Sequence, residues 1–261
     1  MKLAVVQTDP VFGEKSRNIL AAVRLMESAQ ADVFVLPELF ASGYNFADVS
    51  EVHRLAEPTG AGETFETLHN LARERRAVVV YGFPERDGNN LYNSACLIDP
   101  DGSVALYRKI HLFDREKLFF APGNLPFPVV PTKFGRIGIM VCFDWYFPES
   151  ARTLALRGAQ VIAHPSNLVL PNCPDSMPVR CRENRVFAAT ANRVGTEDRG
   201  GTKLTYIGQS QITGTKGDIL IRASAQEAAL HVCEIDPTLA DDKMVTGRND
   251  LLGDRRPEFY E

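Results

Sequence analysis

Three residues of different chemistry each follow an apolar run that reads as a β-strand. Glu38 closes the run 33–36 through Pro37, Lys109 follows Leu-Tyr-Arg, and Cys142 follows Gly-Ile-Met-Val. α/β folds present side chains to a cleft at strand ends, so a carboxylate, an ammonium and a thiol at three such ends are placed to meet. Together they would supply a proton acceptor, a cation for developing negative charge, and a nucleophile, which are the parts of covalent hydrolysis. Glu38 stands among Leu39, Phe40, Tyr44 and Phe46, where burial raises a carboxyl pKa and a nearby cation lowers it. Lys109 lies among large apolar residues and needs acidic partners, because an unpaired buried ammonium is costly. Cys142 sits at a sharp strand-to-loop transition just before a helix, where backbone amides favour a thiolate and can donate to an oxyanion. Taken singly, each has an ordinary explanation: a capping glutamate, a solvated lysine, a cysteine buried as inert core. Cys96 and Cys233 fall inside predicted strands, and Cys173 and Cys181 in a proline-rich loop without a neighbouring base.

Hydrophobic periodicity supplies the elements that must carry these residues. Residues 2–7, 18–28 and 32–36 read as strand, helix and strand, and the same order recurs at 136–141, 148–157 and 160–163. Runs 77–82, 91–98 and 104–107, separated by Arg-Asp-Gly-Asn-Asn and Asp-Pro-Asp-Gly, predict an antiparallel meander after the first unit. Runs 186–192, 208–212, 219–223 and 229–235 predict a matching meander after the second, and 63–75 has the spacing of a packing helix. Two such units imply two sheets packed together with helices outside, an α/β fold arranged as a four-layer α-β-β-α sandwich. No Ser/Gly/Pro-rich linker or charge block divides the chain, so residues 1–261 are expected to form one domain.

The segments Leu-Pro-Glu-Leu-Phe, Tyr-Arg-Lys-Ile-His-Leu-Phe and Val-Cys-Phe-Asp-Trp-Tyr-Phe-Pro-Glu, in that order, resemble the signature motifs of the nitrilase superfamily of carbon–nitrogen hydrolases. The likeness extends from Met-Lys-Leu-Ala-Val-Val-Gln to the tail Asp-Arg-Arg-Pro-Glu-Phe-Tyr, through Gly-Ala-Gln-Val-Ile-Ala-His-Pro-Ser-Asn and Glu-Asn-Arg-Val. It implies the sandwich fold, with Glu38 as general base, Cys142 as nucleophile and Lys109 stabilising the tetrahedral intermediate together with the backbone N–H of Phe143. Glu116 matches a second family glutamate that helps position the site. Phe143, Tyr44, Trp145 and Asn167 are the expected substrate-binding residues, within an aromatic set that also includes Phe40, Phe113 and Tyr146. The resemblance further implies a homodimer or larger homo-oligomer, with the C-terminal segment 249–261 across a partner.

The family's members act on nitriles, aliphatic amides, ω-amides and N-carbamoyl compounds with the same catalytic set. Nitrilases proper commonly follow the nucleophile with Trp-Glu, and Phe143-Asp144 here favours a small aliphatic amide, hydrolysed to carboxylate and ammonia. Nitrile and N-carbamoyl substrates are the alternatives. Readings of other classes are a Cys-His hydrolase using His111 or His164, and a non-catalytic binding or scaffold protein on the same fold. No metal or organic cofactor is expected: the five histidines lack ligand spacing, and the five cysteines include no Cys-x-x-Cys pair and are expected as free thiols. A net charge of −4 with scattered basic residues provides no footprint for nucleic acid or an anionic membrane. No apolar run approaches the ~18 residues of a membrane span, and the N-terminus lacks a signal-peptide core. A cytoplasmic enzyme acting on a small molecule is therefore expected.

Overall fold

The computed structural model, which describes residues 1–260, contains two six-stranded sheets packed face to face. The first half of the chain contributes β1 (Lys2–Gln7), β2 (Val33–Val35), β3 (Val78–Asp87), β4 (Asn90–Ile98) and β5 (Val104–Arg108). The second contributes β6 (Val129–Thr132), β7 (Gly135–Ile139), β8 (Val161–Pro165), β9 (Phe187–Ala191), the hairpin β10 (Thr196–Arg199) and β11 (Thr202–Thr205), then β12 (Gln211–Thr213) and β13 (Ile219–Arg222). β14 (Ala229–Glu234) follows, and β15 (Met244–Thr246) with β16 (Asn249–Asp250) forms a small C-terminal hairpin. Five helices lie between strands: α1 (Lys15–Glu27), α2 (Val49–Leu55), α3 (Glu63–Arg75), α4 (Pro148–Leu156) and α5 (Cys173–Arg182). No helix among the described residues is long and apolar enough to cross a membrane.

The sheet orders are β14-β1-β2-β3-β4-β5 and β13-β12-β9-β8-β7-β6. Each has three adjacent parallel strands, β1-β2-β3 and β7-β8-β9, flanked by antiparallel ones, so the repeat read from the sequence is a repeat of the fold. Side chains alternate across a strand, which explains why the apolar runs are unbroken: both faces are covered. Leu3, Val5, Val33, Val35, Val78 and Val80 enter the core shared with Ile137, Ile139, Val161 and Ala163 of the second sheet. The intervening Ala4, Val6, Phe34 and Val79 meet Ile19, Ala22 and Met26 of α1 and Leu68 and Leu71 of α3. On the opposite outer face, Leu154 of α4 packs so near Gly138 of β7 that a Cβ there would come within 2.9 Å of it. The layers are therefore α-β-β-α, as expected.

Two expectations are corrected. Residues 229–235 do not complete the second meander, because β14 pairs antiparallel with β1 and closes the first sheet. The proline-rich stretch around Cys173 and Cys181 is α5, not a loop. Pro174 lies in its first turn, where a missing N–H costs little, and Cys173, Met177 and Cys181 are buried on one face, so tertiary packing outweighs Pro178 within it. α2, β6 and the β10–β11 hairpin carry no periodic signal strong enough to be read in advance.

Candidate active site

Glu38 follows β2, Cys142 follows β7 and Asn167 follows β8, all at the C-terminal ends of parallel strands. Lys109 directly follows β5, and its N–H donates to Asn93 O of β4 at 2.8 Å. Their side chains are all buried. Lys109 Nζ donates to Glu38 Oε1 and to Glu116 Oε1, each at 2.7 Å, and Asn93 Nδ2 donates to the same Glu38 oxygen at 2.7 Å. Tyr44 Oη donates to Glu116 Oε1 at 2.6 Å and Phe113 N to its Oε2 at 3.1 Å. One ammonium is thus shared by two carboxylates, one of them anchored on both oxygens. Glu38 Oε2, in contrast, has no donor among the described residues.

Burial dominates the electrostatics. It raises the Glu38 carboxyl to about 7 from the ordinary 4.5, against the pull of Lys109. Burial, reinforced by the Glu38 charge, also pushes the Cys142 thiol well up, with Lys109 opposing. For Lys109 burial works against the charged form, but Glu116 and Glu38 outweigh it and hold the ammonium protonated. The resting site is therefore a thiol beside a carboxylate of raised basicity and a fixed cation, a set suited to proton abstraction followed by nucleophilic attack.

Cys142 opens a 3₁₀ turn, Cys142–Tyr146, with φ of 41°, a left-handed conformation uncommon for a non-glycine residue. His164 Nε2 donates to the Cys142 carbonyl at 2.9 Å, and Thr190 Oγ1 lies 3.0 Å from its Nδ1. Facing a carbonyl, Nε2 carries the ring proton, and burial depresses His164 to about 4, so the imidazole is a neutral brace on the Cys142 backbone. Beside the sulfur, Phe113, Phe143, Trp145, Asn167, Leu168 and Leu170 line a cleft.

A family model described as carbon-nitrogen hydrolase matches residues 2–243. The chain belongs to the carbon–nitrogen hydrolase family. It is 48% identical over 263 residues to a protein named nitrilase from Pyrococcus abyssi, covering 100% of this chain and 99% of that one. It is 34% identical to an N-carbamoylputrescine amidase of Solanum lycopersicum, over 94% of this chain and 89% of the relative. The crystal structure of an amidase from Nesterenkonia sp. superposes with a TM-score of 0.80 at 29% identity, over 99% of this chain and 94% of the other. In another structure of that amidase, a glutamate-to-glutamine variant, acrylamide is joined to the active-site cysteine by Michael addition.

This carbon–nitrogen hydrolase pairs Lys109 with Glu38 and Glu116, near enough to Cys142 for all three charges to act on its thiol, and places Phe143, Trp145 and Asn167 on the cleft beside the sulfur. Tyr44 does not line that cleft. It faces an adjoining cavity with Phe46, Phe113 and Phe119, and its hydroxyl serves Glu116. Phe40 belongs to the outer core, edge-on to Tyr81. Neither histidine of the Cys-His reading is placed as a base: His164 serves a carbonyl, and His111 Nδ1 faces Asp144 Oδ1 at 2.7 Å. Asn93 and Asp144 were not anticipated, although each is a polar residue in an apolar surrounding sequence, a signal that would have found them.

Proposed function

We propose that the chain hydrolyses small aliphatic amides to carboxylate and ammonia through a thioester on Cys142. Glu38 takes the thiol proton as Sγ bonds to the carbonyl carbon, and the oxyanion is met by Lys109 and the Phe143 N–H. The tetrahedral intermediate collapses, the C–N bond breaks, and Glu38 returns the proton to the departing nitrogen. Water then adds to the thioester with Glu38 accepting its proton, and expulsion of the thiolate, reprotonated by Glu38, frees the acid. Glu116, itself held by Tyr44 and Phe113, keeps the ammonium in place.

The observation that carries the amide reading is a surplus of acceptors. Glu38 Oε2, Asn93 Oδ1 and Asn167 Oδ1 are buried without a donor among the described residues. Asn167 Nδ2 donates to Glu38 O at 2.8 Å, which fixes its other end as the acceptor. Of these residues, Asn167 lines the cleft beside the sulfur, where its Oδ1 would accept from the N–H groups of a primary amide, whereas a nitrile nitrogen, itself an acceptor, cannot donate to it. N-carbamoyl compounds end in the same N–H₂ group and form the second reading, favoured by the N-carbamoylputrescine amidase relative. The nitrile reading has the Pyrococcus abyssi relative in its favour and the acceptor surplus against it.

The test is ammonia release from a panel of small amides, N-carbamoyl compounds and nitriles, with Cys142→Ala as the control. Amide turnover lost in the variant supports the reading, and turnover confined to nitriles refutes it. The same reading takes the chain as one cytoplasmic domain acting as a homodimer. Segment 249–261 would reach a partner through Phe259 and Tyr260, which are 70% and 59% exposed, while Glu261 lies outside the described residues. Sedimentation as a monomer alone at micromolar concentration would count against the dimer.

A further inference from the structure

The two halves of the candidate site come from different sheets, and one buried side chain ties them together. The Asp144 carboxylate is inaccessible to solvent and receives four hydrogen bonds from two segments. Its Oδ2 accepts from Tyr107 Oη at 2.7 Å and from Val141 N at 2.8 Å. Its Oδ1 accepts from His111 Nδ1 at 2.7 Å and from His111 N at 3.3 Å. Tyr107 and His111 stand two residues before and two after Lys109, while Val141 directly precedes Cys142. Tyr107 Oη also receives Ile110 N at 3.3 Å, so the chain is gripped on both sides of the lysine. Aromatic packing stiffens both donors: Tyr107 stacks on Phe127, and His111 lies on Phe147 with ring centroids 3.7 Å apart. With His164 on the carbonyl of Cys142 and Asp144 on the amide before it, the left-handed nucleophile is braced from both sides.

We infer that Asp144 is a positioning residue that sets the Lys109 ammonium against the Cys142 sulfur. Four donors saturate the two oxygens of a carboxylate, so none is left for substrate and the residue acts only through the groups it holds. Replacing it with asparagine turns one acceptor into a donor facing other donors, which must part. The inference rests on the roles given to Lys109 and Cys142 above, and its test reads the thiol directly as well as turnover.

Asp144→Asn and Tyr107→Phe are made in the full-length enzyme. Ammonia release is measured, together with the pH profile of iodoacetamide alkylation at Cys142, followed by peptide mass. A misplaced catalytic group costs on the order of 100-fold, so kcat of Asp144→Asn falls by about that factor with KM held within a few-fold, and Tyr107→Phe falls less. In both, the alkylation midpoint moves to higher pH, because the cation has moved away from the sulfur. A folded variant that keeps its kcat overturns the inference, as does one that loses kcat with an unmoved alkylation profile. Should Asp144→Asn fail to fold, Tyr107→Phe, which keeps the ring on Phe127, decides by the same criteria. If the wild-type enzyme releases no ammonia from any amide, the proposed substrate fails, and the alkylation profiles alone still test the positioning.

Discussion

Burial raises Glu38 and Cys142 together: the first shift makes the carboxylate a stronger base, the second makes the thiol a weaker acid, and Lys109, which lowers the thiol, offsets part of the second. An ordinary carboxyl would be too weak a base, and Lys109 alone would make it weaker. Cys142→Ala is expected to abolish turnover, and Glu38→Gln to lower it by ~10²–10⁴-fold, each with an unchanged circular dichroism spectrum. Because Glu38 must be ionised to act and is held at about 7, kcat/KM should fall tenfold per pH unit on the acid side of about 7. A limb lying near 4.5 would show that burial does not shift the group. The same shift has a stability sign. Glu38 binds its proton more tightly folded than unfolded, so its favourable contribution is complete below 4.5 and is lost as pH rises through about 7. Melting temperatures should therefore show Glu38→Gln gaining on the wild type across that interval.

Elements hold these residues by close backbone approach. Gly82 of β3 passes so near Glu38 that a Cβ would lie 2.5 Å from the Glu38 Cα, and its N–H donates to Pro37 O at 3.1 Å. Gly123 crosses the end of β5 with a Cβ position only 2.0 Å from Arg108 O. A methyl at either place must displace the backbone that carries Glu38 or Lys109. Gly82→Ala is expected to lower both the melting temperature and kcat, the latter by about 10²-fold if Glu38 moves by an ångström. A thermally weakened variant with full kcat would mean that β3 supports the strand end but does not aim it. The strands of the two strand–helix–strand units and the helices α1, α3 and α4 were legible because their apolar spacing is uninterrupted. α5 was not, because two prolines hide a helix whose stability comes from burying Cys173, Met177 and Cys181.

At the scale of the whole molecule, the candidate site is assembled by the packing of one sheet on the other. Glu38 and Lys109 hang from the first sheet and Cys142 and Asn167 from the second, with the inter-sheet core between them. Ile139, two residues before the end of the strand run that leads to Cys142, is fully buried in that core. Ile139→Ala is expected to cost ~2–5 kcal/mol in urea unfolding and to reduce kcat as well, since the cavity loosens the mount of the nucleophile. Unchanged kcat would show that local bonds alone place Cys142. The sequence by itself determined the repeated strand–helix–strand order, the strand ends bearing Glu38, Lys109 and Cys142, and, through its motifs, the family, because periodicity and turn chemistry are local properties of the chain. Only the tertiary structure decided that β14 closes the first sheet, that Tyr44 serves Glu116, that His164 braces a carbonyl, and that Asp144 joins the lysine segment to the nucleophile. Those facts depend on which polar groups meet once both sheets exclude water, and contacts between residues dozens of positions apart leave no periodic trace.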